Sequence, residues 1–308
     1  MFNIFLDDAA ALVVVLPLLI SAIIAFIPSK IWPWIISLVT LVLHLVLSLH
    51  LLKEISISGL IIYEFGNWEP PWGISFKIDG VNIGLQLLFS IFVLISTFYS
   101  RKIFLSEIDS RDSGKAYSLW LLAIGSLNGI ILTNDIFNLF VFLEISALAS
   151  ISLIALGAGQ NRKALLAAFN YLIIGAIGAT FYVIGVGFAY AMTGTLNMND
   201  LVIQLVQYSD GQLAIFAGMS FMLIGLMVKA AIFPVHILVT SCIYLRSLSC
   251  FNSFGCISYK NNSLFFCETF VRGIHNISKL LKLIFRFCFI SFIFTRYIYR
   301  NFDSYISR

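Results

Sequence analysis

The chain has 308 residues, of which 60% are hydrophobic and 11% are charged. Soluble domains carry about a quarter charged residues, so this composition excludes an ordinary soluble protein. The formal net charge of +4 needs no nucleic-acid partner, because basic residues in the loops of membrane proteins account for such an excess.

Seven apolar runs follow one another, each long enough to cross a hydrocarbon layer roughly 30 Å thick as a helix. They cover residues 9–28, 31–52, 81–99, 117–133, 136–157, 164–192 and 213–233. Asp7 and Asp8 precede the first run and no small-residue cleavage site follows it, so we do not expect a cleavable signal peptide. The sequence predicts an all-α polytopic membrane protein with about seven transmembrane helices.

Basic residues are divided unequally between the two sets of loops. If the N-terminus lies outside, the outer loops hold only Lys53 and Lys77. The inner loops then hold Lys30, Arg101, Lys102, Arg111, Lys115, Arg162 and Lys163. Because Lys and Arg favour the cytoplasmic side, we predict a multi-pass protein of the bacterial plasma (inner) membrane with its N-terminus outside.

The loop over residues 53–79 has alternating apolar residues in "ISISGLIIY", followed by "GNWEPPWG". This pattern predicts a short hairpin with a turn around Pro70 and Pro71. Asp79 and Asp135 directly precede apolar runs, and we interpret both as helix N-caps rather than as groups on an ion path.

The sixth run contains small residues among bulky ones, which predicts a closely packed interior helix. These residues are Gly175, Gly178, Gly185 and Gly187.

Motifs of enzymatic chemistry are absent from the sequence. All five cysteines follow residue 241, and none has the spacing of a metal or iron–sulfur site. No glycine-rich nucleotide-binding motif follows a predicted strand. We therefore expect no cofactor, no metal and no active site of the chain's own.

Two ionisable residues lie inside apolar runs, Glu144 in the fifth and Lys229 in the seventh. A charge near the centre of a membrane helix costs about 2.5–3.5 kcal/mol, so we expect the two side chains to face each other. Either they form a structural salt bridge, or they form a protonatable pair on an ion path, which is what intramembrane ionisable residues commonly mark.

Features around Lys229 favour the ion path. Pro234 lacks an N–H, which leaves the carbonyl of Ala230 without its helical partner and predicts a broken seventh helix. His236, just past that break, has a side chain that can pass protons near neutral pH. We interpret His44 and His50, in the second run, as packed or interfacial.

The segments "NDIFNLFVFLE" (134–144) and "GLMVKAAIFPVH" (225–236) resemble the antiporter-like membrane subunits shared by respiratory complex I and Mrp-type cation/proton antiporters. The resemblance covers residues 1–237 and includes "GNWEPPWGI" (66–74), "YLIIGAIGATFYVIGVG" (171–187) and "TGTLNMNDL" (193–201). "GNWEPPWGI" and "FNLF" look closer to the D-type Mrp subunit.

The resemblance implies a fold of two inverted five-helix repeats, of which this chain carries only the first. It also implies that Glu144 and Lys229 take part in proton translocation, with His236 as a neighbouring relay. Many relatives have a lysine where Asn170 stands here. The implied partners are other membrane subunits of an antiporter or respiratory complex, with protons as the transported ions. The sequence leaves open whether sodium is transported as well.

After Ile237 the sequence departs from the family pattern. Codons for 238–256 can be chosen so that a reading shifted by one base continues the family motif. No Trp follows Trp120 and no Pro follows Pro234. We therefore expect residues 1–237 to be the N-terminal part of the antiporter-like domain and residues 238–308 to be an out-of-frame, weakly hydrophobic tail. The chain is then either a truncated subunit or the non-functional product of a decayed gene.

Overall fold

The computed structural model describes residues 8–68, 70–108, 112–157, 162–207 and 212–229. Pro234, His236 and the predicted tail at 238–308 lie outside the described residues. Two strands, β1 (Ile61–Glu64) and β2 (Ser75–Ile78), form a small sheet. The helices are α1 (Ala9–Ile24), α2 (Trp32–Ser58), α3 (Gly80–Glu107), α4 (Ser113–Leu132), α5 (Ile136–Gly157), α6 (Arg162–Thr193), α7 (Met198–Gln207) and α8 (Gln212–Lys229).

Five of these helices, α2 to α6, are long and apolar enough to cross a membrane. Helix α1 and residues Leu213–Lys229 of α8 are apolar but shorter. Helices suit these segments because they satisfy every backbone N–H and C=O internally, which lipid cannot do. The prediction of an all-α polytopic membrane protein is confirmed. Among the described residues, α1 to α6 and α8 follow the order of the apolar runs, and five of them are long enough to be candidate spans.

The predicted hairpin is present, but its first strand begins later than the sequence pattern indicates. Strands β1 and β2 pair antiparallel, with Ile61 opposite Ile78. The apolar alternation in residues 55–58 predicts strand, whereas α2 continues to Ser58. The hydroxyls of Ser56 and Ser58 donate to carbonyls four residues earlier, and Gly59 ends the helix with a φ of 77°, where glycine has no steric penalty.

Three buried side chains attach the hairpin to the loops between helices. Asn197, before α7, donates to the Ser75 hydroxyl at 2.8 Å. The side chain of Asn134, before α5, donates to the side-chain Oδ1 of Asn197 at 3.1 Å, and its backbone N–H donates to the backbone carbonyl of Ser75 at 3.0 Å. The hairpin, the α4–α5 loop and the α6–α7 loop are therefore joined at one end of the bundle.

Helix α4 is the central helix of the group α1 to α5, and it packs against α1, α3 and α5. Its largest side chains, Tyr117 and Trp120, are almost completely buried. The Trp120 indole donates to the Thr97 hydroxyl of α3 at 2.8 Å. A second group is formed by α5, α6 and α8, in which α6 packs against both of the others.

Both predicted N-caps are confirmed. Asp79 accepts hydrogen bonds from the amides of Val81 and Asn82. Asp135 accepts from the amides of Phe137 and Asn138, at 2.9 and 2.7 Å. Side-chain acceptors at this position satisfy N–H groups that have no partner within the helix.

Asp135 is only 6% exposed, and its burial raises the pKa of the carboxyl above that of an exposed aspartate, although the two backbone donors oppose the shift. A carboxyl with a raised folded-state pKa binds more protons folded than unfolded, so stability falls as pH rises through that window. Asp135→Asn keeps both cap bonds without a buried charge. We expect it to raise Tm at neutral pH, and Asp135→Ala to lose about 1 kcal/mol.

Thermal unfolding in detergent at several pH values checks this prediction. The matched control is Asp79→Asn, because Asp79 makes the same cap bonds at a half-buried position. An Asp135→Asn variant with the same pH dependence of Tm as the native chain would contradict the expected effect of burial.

Candidate functional site

Glu144 and Lys229 form an ion pair between α5 and α8. The Lys229 Nζ donates to the Glu144 Oε1. Their side chains are 26% and 11% exposed, respectively. The structure thus brings together two residues that are 85 positions apart in sequence, and each neutralises the other's charge.

The pair meets although the two residues lie at different distances from the starts of their helices. At 1.5 Å per residue, Glu144 is about 12 Å along α5 and Lys229 about 26 Å along α8. The difference between these two distances arises because α6 and α8 extend beyond the level at which α5 begins. The Tyr182 hydroxyl donates to the carbonyl of Ile136, the first residue of α5, and α6 continues for about 16 Å past Tyr182.

Two pairs of glycines hold α6 and α8 in close contact. A Cβ on Gly225 would lie 2.6 Å from the Gly178 carbonyl oxygen, and one on Gly185 would lie 2.5 Å from that of Gly218. Side chains at these positions would therefore separate the helices. Lys229 follows Gly225 by one turn, so this contact fixes the height at which the ammonium group meets α5.

The prediction that α6 is wholly interior is wrong in part. Gly178 and Gly185 contact α8, but a Cβ added to Gly187 would have no neighbour within 4 Å among the described residues. Large apolar side chains on the same helix are exposed, including Phe169 and Ile177. The glycines distinguish one packed face of α6 and do not imply burial on all sides.

The immediate surroundings of the pair are apolar. A narrow groove beside Lys229 is lined by Phe140 and Leu143 of α5, Ala179 and Tyr182 of α6, and Gly225 and Leu226 of α8. An ion pair in such surroundings is weakly screened. Any movement that separates the two groups would therefore leave two unpaired charges in apolar surroundings, which is costly.

Of the three predicted path residues, the structure places two in contact, and His236 lies outside the described residues. Sequence reasoning missed Tyr182 and Gly225, which set the relative heights of α5, α6 and α8. It identified the glycine pattern on α6 but not its complement on α8. A matching spacing of seven residues, in Gly178 and Gly185 on α6 and in Gly218 and Gly225 on α8, was the available signal.

Part of the chain matches a known protein family. Residues 133–241 match the family described as NADH:quinone oxidoreductase/Mrp antiporter, transmembrane. The chain is 45% identical over 174 residues to an NADH-quinone oxidoreductase subunit N from Desulforudis audaxviator, covering 56% of this chain and 34% of that one. It is 28% identical over 283 residues to the D-type subunit of a Na(+)/H(+) antiporter from Bacillus subtilis, covering 91% and 54%.

A solved structure agrees with the sequence relatives. A chain of the membrane-bound sulfane sulfur reductase, an archaeal respiratory membrane complex, matches with a TM-score of 0.67 and 27% identity over 77% of this chain and 47% of that one. The chain thus spans between about a third and about half of the length of the relatives it matches. The resemblance noted in the sequence is confirmed: the chain belongs to the NADH:quinone oxidoreductase/Mrp antiporter family of membrane subunits.

Proposed function

We propose that the chain is the first part of a proton-translocating membrane subunit, with Lys229 as the central proton carrier. The observation that carries this proposal is the ion pair between Lys229 and Glu144 inside apolar helices. Glu144 controls the charge of the lysine: in contact, it favours the ammonium form, and on separation it allows the proton to leave. His236 receives or supplies that proton on one side.

The supporting geometry is the position of the two residues on different helices. Glu144 lies within α5, whose first residue is hydrogen-bonded to α6 through Tyr182. Lys229 lies on α8, one turn after Gly225. A small displacement of the chain around Lys229 would open the pair without disturbing α5, and Pro234 supplies the predicted break in the helix for such a movement.

Single substitutions of the pair test the function. In membrane vesicles that contain the full-length subunit in its native complex, we expect Lys229→Ala and Glu144→Gln each to reduce proton translocation to background. The measurement is acidification followed with a pH-sensitive dye. Lys115→Ala is the control, because Lys115 pairs with Asp112 at a position where both side chains are well exposed. Normal pumping by either pair variant would refute the proposal.

A structural role is the competing function, in which the pair only holds α5 and α8 together within a respiratory oxidoreductase. Full burial of the pair would support this structural role, whereas the side chain of Glu144 is 26% exposed. We propose as partners other membrane subunits of a cation/proton antiporter or respiratory complex, in the bacterial plasma membrane with the N-terminus outside. Relatives of both complex types match, so the D-type assignment is also a proposal.

We propose further that residues 238–308 are read out of frame. The absence of Trp and Pro from this part of the sequence and the occurrence of all five cysteines after residue 241 support a change of reading phase. The alignment with the Bacillus subtilis relative covers 91% of the chain, so it continues past Ile237, and this observation favours the alternative that the segment is read in frame. Nucleotide sequencing tests the proposal: a family-like reading frame in the shifted phase is expected, and its absence would refute it.

A further inference from the structure

A second titratable group is buried between α2, α3 and α4, away from the Glu144–Lys229 pair. His44 of α2 is 1% exposed. Its ring contacts Ser90 and Gln86 of α3 and Asn128 of α4, all of which are equally buried. Two helices thus direct polar side chains at the imidazole of a third, inside the apolar bundle.

With the amides oriented as in the structure, the hydrogen bonds match a neutral ring that carries its proton on Nδ1. The Ser90 hydroxyl donates to the Gln86 carbonyl at 2.7 Å, so it accepts from the His44 Nδ1–H at 3.1 Å. The His44 Nε2 then has no proton of its own. It accepts from the Asn128 Nδ2 at 2.7 Å and from the Gln86 Nε2 at 3.0 Å.

The two amides complete a closed triangle with the ring. The Gln86 Nε2 also donates to the Asn128 Oδ1 at 3.0 Å. The Gln86 Oε1 is buried and finds no donor among the described residues. An amide that turns by 180° about its last torsion exchanges its oxygen and nitrogen at nearly unchanged positions. If both amides turn, every donor in the triangle becomes an acceptor and every acceptor a donor.

The reversed triangle fits an imidazolium. The Nε2–H would donate to the Asn128 and Gln86 oxygens, and the Asn128 nitrogen would donate to the Gln86 oxygen. The number of hydrogen bonds stays the same, and one Gln86 atom lacks a partner in either arrangement. Burial disfavours the imidazolium. The hydrogen bonds of the reversed triangle oppose this effect, because hydrogen bonds to a charged group are stronger than neutral ones.

No carboxylate among the described residues is hydrogen-bonded to the His44 ring. The ring's hydrogen-bond partners are Ser90, Gln86 and Asn128, and α1, which also packs against α2, contains no titratable residue. The titratable residues of α2, α3 and α4 lie about 9 Å or more along the helices from the ring or its partners. They are His50, Lys53 and Glu54 of α2, Tyr99, Arg101, Lys102 and Glu107 of α3, and Lys115 and Tyr117 of α4.

We propose that His44 is a proton-binding site, in which Gln86 and Asn128 turn together to receive the proton at Nε2. The ligand is a proton because the described residues leave no room for a larger cation among the four side chains, which are in direct contact. The site does not depend on Glu144 or Lys229, so its test is independent of the vesicle assay.

Nitrogen-15 solid-state NMR of the histidine-labelled full chain in lipid bilayers tests this site. Spectra are recorded from about pH 9 to about pH 4, which covers the titration range of histidine. His44→Gln identifies the signals of this ring. At high pH we expect a neutral ring protonated at Nδ1, and on acidification an imidazolium with both nitrogens protonated. His50, which is half-buried on the same helix, serves as the internal comparison.

Substitutions at Asn128 separate a proton site from a structural one. Asn128→Asp places a carboxylate beside Nε2 and should raise the proton affinity of His44 at least tenfold, whereas Asn128→Leu removes an acceptor and should lower it. A ring that stays neutral down to about pH 4 in the native chain would overturn the proposal. Titration at the same pH in both variants would also overturn it, because Asn128 would then not receive the proton's hydrogen bond.

Discussion

The double variant Lys229→Met with Glu144→Gln is expected to be nearly as stable as the native chain and still unable to translocate protons. Removing one partner of a buried ion pair leaves a lone charge and costs about 3–5 kcal/mol. Replacing both leaves an amide and a thioether of similar size, and such replacements are often neutral. The side chains of Lys229 and Glu144 are only 11% and 26% exposed, so solvent offers little compensation in the single variants.

Stability and transport are measured on the same four proteins: native, Lys229→Met, Glu144→Gln and the double variant. Thermal unfolding in detergent should show two destabilised single variants and recovery in the double one. The exposed pair Asp112–Lys115 provides the control, since Asp112→Asn should change stability by less than about 1 kcal/mol. If the double variant regains proton translocation together with stability, the pair is a structural salt bridge and Lys229 is not the carrier.

The pairing of Glu144 with Lys229 could be predicted because an unpaired charge inside a membrane helix is energetically unfavourable. Few residues in apolar helices can neutralise a charge, and these two residues have opposite charges. The relative heights of the two residues could not be predicted, because the offset of α6 along α5 and α8 has no effect on the pattern of hydrophobic residues. It depends on one contact between Tyr182 and Ile136 and on the glycines between α6 and α8.

The first strand of the hairpin was misplaced because the sequence around residue 55 satisfies two patterns. Alternating Ile and Ser suit a strand, but serine hydroxyls can also bond back to a helix carbonyl, as Ser56 and Ser58 do. The residue that ends α2 is Gly59, and the alternation of Ile and Ser before it does not mark the start of the strand. The N-caps at Asp79 and Asp135 were predictable because capping is a local interaction between residues two or three positions apart.

The His44 cluster could not be assembled from the sequence. Its members lie 42, 46 and 84 positions from His44. One or two polar residues in each of three apolar helices form no pattern that identifies their partners. Interpreting His44 as packed was consistent with its complete burial. The hydrogen-bonded triangle of the ring and the two amides could not be predicted, because it arises from the packing of α2, α3 and α4.

Replacing Gly225 with alanine is expected to destabilise the chain and impair transport, although Gly225 carries no functional group. A Cβ at this position would lie 2.6 Å from the Gly178 carbonyl oxygen and 2.7 Å from the Tyr182 nitrogen. Both obstacles are backbone atoms, so the helices must move apart. Overpacking of this kind costs about 1–3 kcal/mol, and the movement displaces Lys229 from Glu144 because the lysine lies one turn further along α8.

Gly187→Ala is the matched control for this change, since no atom of the described residues lies within 4 Å of its added Cβ. Both variants gain the same helix propensity, roughly 1 kcal/mol, so the difference between their unfolding temperatures measures the steric effect alone. We expect Gly187→Ala to match or exceed the native Tm with full transport, and Gly225→Ala to lie below it with reduced transport. Equal behaviour of the two variants would mean that the α6–α8 contact does not position Lys229.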